Sequence, residues 1–220
     1  MCQNDETRPA SATNGRSAGT ARAASAARTA ADYFPLALSS RWEYDVEIQG
    51  PTGTSRSLSA VKRVQDQRQI GIHQYIRIVT EITAGGLRVP DQFYRVDADG
   101  LKAAVQGAEG KELLLLPTDP RSQKSWSGEA EPAIARFSGE AAVDQVFQHR
   151  DRQYSGCVTV SIKMTVVEKS VFGRRETPVQ LQRWFAPGIG MVRELKIVGE
   201  EGKPNYMKSD CKLVRFQVGL

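Results

Sequence analysis

From Trp42 onward the apolar residues recur at every second position, a spacing that suits strands with one buried face and does not suit helices. Trp42, Tyr44, Val46 and Ile48 share one face, with Glu43, Asp45 and Glu47 on the other. Ile70, Ile72, Ile76, Ile78 and Ile82 alternate with Gly71, His73, Tyr75, Arg77 and Glu81, which predicts a single strand over Ile70 to Ile82 with His73 on its polar face. Val158, Val160, Ile162, Met164 and Val166 repeat the pattern. Between such runs lie turn signals: Gly50-Pro51-Thr52-Gly53, Gly85-Gly86, Asp97-Ala98-Asp99-Gly100, Phe172-Gly173-Arg174-Arg175 and Pro187-Gly188-Ile189-Gly190. Phe137 to His149 fits either period and is read as a strand. The expectation is an all-β meander of about ten antiparallel strands with no helix.

After Cys2 no bulky apolar side chain occurs until Tyr33, and this stretch of residues 1–31 is built mainly from Ala, Ser, Thr, Gly and Arg. Such a segment has too little apolar surface to offset the entropy of ordering, so it is expected to be a disordered tether. Residues 32–220 are then one antiparallel β domain.

The net charge of +5 includes four arginines against two acids in the tether, which leaves +3 for the domain. Nucleic-acid binding needs clustered Lys and Arg that neutralise several phosphates together, whereas here basic and acidic residues alternate, so nucleic acid is not expected as a partner. The longest apolar run, Leu113 to Leu116, is far short of the roughly 18 residues of a spanning helix. No charged n-region with an apolar h-region is present; the protein is either cytoplasmic or has lost a leader.

Cys2 stands where a lipid-bearing cysteine would fall if a leader were cut away and a Met put in its place; the alternative is an incidental cysteine in a coil. Cys157 and Cys211 each open a strand-like run and could face each other. A bridge over the 54 residues between them would stabilise an exported domain by ~4 kcal/mol on the loop-entropy model. Two unrelated buried thiols is the competing reading.

A catalytic constellation is lacking. Only His73 and His149 are available, with no CxxC and no HExxH, so zinc is not expected and no cofactor is implied. Asp97 and Asp99 resemble the start of a calcium loop, but Ala103 and Ala108 occupy later ligand positions. No G-x-S-x-G frames a nucleophilic serine, and Glu140 with Asp144 lie in an ordinary polar stretch. The chain is read as non-enzymatic, with a hydrolase of unknown class as an alternative.

Three segments carry a resemblance: Tyr33-Phe34-Pro35-Leu36 with Trp42-Glu43-Tyr44, Leu116-Pro117 before Trp126, and Trp184-Phe185-Ala186-Pro187-Gly188-Ile189-Gly190-Met191-Val192. Together they resemble a loose group of bacterial exported β-rich proteins, many of them lipoproteins and uncharacterised. Ser39-Ser40 departs from the glycine commoner before the Trp. The resemblance implies one curved antiparallel sheet, a half-barrel or open barrel similar in kind to lipoprotein carriers, and no established activity. A curled sheet leaves an apolar trough, whose lining should include Trp42, Tyr44, Ile76, Ile78 and Trp184 unless these residues simply fill a core. The expected protein is therefore a monomeric, extracytoplasmic, lipid-anchored domain that holds a lipid or other apolar ligand or an envelope partner. Strand addition at an exposed sheet edge is a further alternative.

Overall fold

The computed structural model describes residues 28–83, 89–106, 110–170 and 173–219. Cys2, Gly85-Gly86 and Phe172 lie outside them. Among the described residues the chain forms one short helix, α1 (Ala30–Tyr33), and twelve strands: β1 (Arg41–Gln49), β2 (Ser55–Ile70), β3 (His73–Ile82), β4 (Gln92–Val96), β5 (Gly100–Ala104), β6 (Glu112–Pro117), β7 (Ser125–Ala130), β8 (Ile134–His149), β9 (Arg152–Ser170), β10 (Gly173–Ala186), β11 (Gly190–Val198) and β12 (Met207–Gln217).

All twelve belong to one antiparallel sheet, in the order β6-β5-β4-β3-β2-β1-β12-β11-β10-β9-β8-β7. Every ladder joins sequence neighbours except the β1–β12 junction, where the first and last strands zip together from Arg41↔Gln217 to Gln49↔Lys208, and β6 and β7 are left as the two edges. The sheet curls until its edges β6 and β7 approach, and the Trp126 indole of β7 donates to the Leu114 carbonyl of β6 at 3.0 Å. The result is an all-β sheet nearly closed into a barrel, with twelve strands rather than about ten; the short segment at Trp126 is a full strand.

Three expectations change. The Ile70 to Ile82 run is two strands, because Gly71 takes a positive φ (59°) that reverses the chain and leaves Ile72 89% exposed at a hairpin tip. A helical turn precedes β1, started by a capping box in which Thr29 and Asp32 exchange hydrogen bonds. Ala30 is 1% exposed and belongs to the core, so the packed domain begins before Asp32.

One end of the barrel is stoppered by this N-terminal segment. Phe34 stacks on Trp42 (ring centroids 6.1 Å apart) and meets Tyr94 and Phe185 edge-on at 5.4 and 5.7 Å. The Gly188 amide donates to the Asp32 carbonyl at 2.7 Å, and the Trp42 indole donates to the Ile189 carbonyl at 2.6 Å. The aromatic opening motif and the Pro187-to-Gly190 turn, remote in sequence, thus close the same end.

On the outside, the far end of the β8–β9 hairpin bends across the sheet. Asp144 (φ 56°) and Gly156 (φ 66°) mark the bend, and the ladder between the two strands is irregular there. The bent arm stacks Phe147 on Tyr154 and lays Phe147 against Trp184. Its tip reaches β1, where Arg150 Nη2 lies 2.6 Å and His149 Nε2 3.3 Å from Asp45 Oδ2.

Candidate binding interior

Strand alternation decides which side chains enter the barrel. Trp42, Tyr44 and Val46 on β1 point inward, and the ladder carries that face to Lys62, Ala60 and Leu58 on β2, then to Thr80, Ile82 and Ile78 on β3. In the other direction it runs through Leu213 and Cys211 on β12, Glu194 on β11 and Arg183 on β10 to Val160 and Ile162 on β9. These residues form three levels along the barrel axis.

At the stoppered end is the aromatic level of Phe34, Trp42, Tyr94 and Phe185. The middle level is ionic. Arg183 donates to Glu194 Oε2 through Nε at 2.7 Å and Nη2 at 2.6 Å, with both side chains about a tenth exposed. Lys62 extends across the ring of Tyr44, 5.6 Å from its centroid, to within 3.8 Å of Glu194 Oε1. Burial alone would raise the Glu194 pKa, but Lys62 and Arg183 beside it overcome that penalty and hold it down at about 2. Burial pushes the Tyr44 phenol well up, and its hydroxyl donates to the Met191 carbonyl at 2.8 Å.

The third level, toward the β1–β2 turn, is apolar and only half-covered. Ile48, Leu58, Ile82 and Met164 are partly buried and pack on the core, with Val179 and Leu181 beneath them. Two polar atoms on the inward faces of β3 and β4, Thr80 Oγ1 and Gln92 Oε1, are buried and meet no hydrogen-bond partner among the described residues. Native interiors leave few such groups unmatched, so the lumen has spare hydrogen-bonding capacity.

The expected lining residues divide between the two faces. Trp42, Tyr44 and Ile78 are inside and at most 2% exposed, which makes them floor and wall; Ile76 is inside and partly buried. Trp184 is on the other face: a register irregularity at Trp184/Phe185 leaves Arg183 and Phe185 inward, and Trp184 packs against Phe147 with the Arg193 guanidinium 4.6 Å above its ring. His73 stays off the isoleucine face and meets the Tyr75 ring at 6.4 Å. The ionic level of Lys62, Arg183 and Glu194 was not anticipated. They share the inward faces of their strands with apolar residues, and their meeting depends on which strands become neighbours.

Cys157 and Cys211 are free thiols. Their strands, β9 and β12, are separated in the sheet by β10 and β11, roughly 14 Å at the usual strand spacing, whereas a disulfide needs Cα atoms within about 7 Å. Burial pushes both thiols up to about 11, leaving them protonated and poorly nucleophilic at neutral pH.

A cleft of about 540 Å³ lies between the hairpin tip and β1, lined by Asp45, Val46, Glu47, Ser57, Leu58, Ser59, Thr83, His149, Asp210 and Lys212. Its charged side chains are paired in part, Asp45 with His149 and Arg150, Asp210 with Arg193 and Lys212. Its wall mixes these charged groups with Val46 and Leu58. Among the described residues no group of three or more metal-ligating side chains occurs, and no helix is long and apolar enough to cross a membrane.

Comparison with solved structures finds similarity to a "putative exported protein with YmcC-like fold" from Bacteroides fragilis NCTC 9343, with 13% identity, a TM-score of 0.40, and coverage of 84% of this chain and 98% of that one. A "putative lipoprotein" from Parabacteroides distasonis ATCC 8503 is similar at 11% identity and a TM-score of 0.41, covering 86% of this chain and 99% of that one. No family model and no curated protein matches the chain.

Proposed function

We propose that this protein is a non-enzymatic binding domain of the cell envelope, tethered by a lipid on Cys2, that holds an apolar ligand in its barrel. The observation that carries the reading is the half-covered apolar level of Ile48, Leu58, Ile82 and Met164, set above a floor closed by Phe34 and Trp42. A barrel with both ends packed would have no such level, and one without a floor would be a channel. The tether's composition, small and polar from Gln3 to Ala27, suits a spacer between a membrane anchor and a folded domain. Thiols raised to about 11 offer no activated nucleophile.

The reading is tested by titrating the folded domain with N-phenyl-1-naphthylamine, a neutral dye that brightens in apolar surroundings. Saturable binding of one dye per protein, lost in Leu58→Trp with the fold intact, is the expected outcome. No saturable binding, or binding indifferent to Leu58→Trp, contradicts it.

A further inference from the structure

We infer that the far half of the β8–β9 hairpin, from Asp144 to Gly156, is a hinged arm that lifts off the sheet while the barrel stays folded. The motion does not depend on what the interior binds.

The hinge is built into the backbone. Asp144 takes a positive φ (56°), which a side chain resists, and Gly156 on the facing strand takes 66°, which glycine adopts freely. The β8–β9 ladder runs in register from Arg136↔Thr165 to Ala142↔Thr159, shifts between Ala142 and Gln145, and shifts again before Phe147. Both strands therefore bend at one level. Beyond it the pairs Phe147↔Tyr154, Gln148↔Gln153 and His149↔Arg152 make the arm a short hairpin of its own. Arg121 donates to both oxygens of Asp144 at 2.8 and 2.7 Å, which fixes the root and leaves the far end to its own contacts.

The seat of the tip is narrow. Arg150 Nη2 and His149 Nε2 both approach one oxygen, Asp45 Oδ2. Clefts open beside His149 in two directions, one of about 540 Å³ against Asp45 and Glu47, the other of about 270 Å³ against Glu43 and Arg215. A tip packed to the density of a protein interior would leave neither. The Arg150–Asp45 pair is about half-exposed on both partners, the kind of contact that salt weakens.

Midway along the arm, contacts that hold it down meet one that pushes it up. Phe147 stacks on Tyr154 and lies against Trp184, with the Arg193 guanidinium 5.9 Å from its ring, while Val146 points away from the sheet and is 60% exposed. Tyr154 is 6% exposed, and its buried hydroxyl meets no hydrogen-bond partner among the described residues. A buried phenol normally finds a partner, and lifting the arm returns this one to water. The unmatched hydroxyl and the left-handed Asp144 thus offset part of the aromatic stacking, which keeps an open form within thermal reach.

Cys157 reports the motion. It sits at the root of the arm, is fully buried, and its Sγ donates to the Tyr154 carbonyl at 3.3 Å, so a reagent reaches it only after the arm moves. The experiment is labelling of the native full chain with iodoacetamide at low urea concentrations, each thiol quantified by peptide mass spectrometry. Cys211, on the inward face of β12, reports opening of the barrel itself. Labelling of Cys157 is expected to be almost independent of urea, to speed up roughly threefold in Asp45→Asn and in molar sodium chloride, and to slow several-fold in Tyr154→Phe. Labelling of Cys211 should move less in each case. Cys157 labelling that climbs with urea as steeply as global unfolding, or that responds neither to Asp45→Asn nor to salt, overturns the hinge. Faster labelling in Tyr154→Phe would overturn it as well, since removing an unmatched hydroxyl can only favour the closed arm.

Discussion

Lys62 on β2 and Glu194 on β11 come within 3.8 Å of each other although β1 and β12 lie between their strands, because the sheet curls and the lysine stem spans the ring of Tyr44. The contact is a direct measure of the curvature. It also places charge in the middle of a barrel whose ends are aromatic and apolar.

Glu194→Gln should destabilise the domain by about 3 kcal/mol, since it leaves Arg183 and Lys62 buried without their counter-charge. Urea denaturation at neutral pH measures this. A loss below about 1 kcal/mol would mean that water already screens the cluster.

The same residue sets an acid limb of stability. Its pKa is about 2 in the folded protein against an ordinary 4.5, a depressed value, so its contribution is complete above about pH 4.5 and is lost as pH falls from there toward 2. Stability profiles of the parent and Glu194→Gln should therefore converge as pH drops through that window. Parallel profiles would show that Glu194 titrates normally.

Phe34→Ala should cost about 3–5 kcal/mol, because the ring fills the centre of Trp42, Tyr94 and Phe185 and nothing nearby can collapse into its place. Thermal unfolding and the near-ultraviolet signal of Trp42 report the change. If the stopper were peripheral, the variant would melt within a few degrees of the parent.

Gly139→Ala tests the seam. A Cβ at Gly139 would run into the Trp126 ring, whose indole bridges β7 to β6 through Leu114. The substitution should cost about 1–3 kcal/mol and raise amide exchange in β7 before other strands. Unchanged exchange there would show that Trp126 does not hold the seam.

The thiols supply a simple check. Mass spectrometry of unreduced protein should show Cys157 and Cys211 free, and a thiol reagent at pH 7 should label them slowly until the protein is denatured. A two-proton mass deficit removed by reductant and mapped to a Cys157–Cys211 peptide pair would contradict the strand order itself.

The period-two runs made the strands legible because each has one buried face: the burial pattern of β1 follows Trp42, Tyr44 and Val46 as the alternation requires. Turn chemistry located most reversals. It misled at Ile70 to Ile82, where Gly71 hides a two-residue turn inside an isoleucine alternation interrupted only by Gln74 and Thr80. Cys157 and Cys211 looked like partners because both open strands, yet pairing depends on sheet order, which local pattern does not encode. Trp184 was assigned inward for a related reason: a bulge beside it sets which aromatic enters the core, and only the ladder shows that it is Phe185.

The central claim is that an apolar ligand enters beside β1, β2, β3 and β9. Photolabelling with a neutral long-chain diazirine alcohol, followed by peptide mapping, tests it most directly. Labels on Ile48, Ile82 or Met164, competed away by unlabelled alcohol, are the predicted result. Labels confined to the β6 and β7 edges or to the outer cleft around Asp45 and His149 would contradict it and point to recognition at the sheet edge or the outer face.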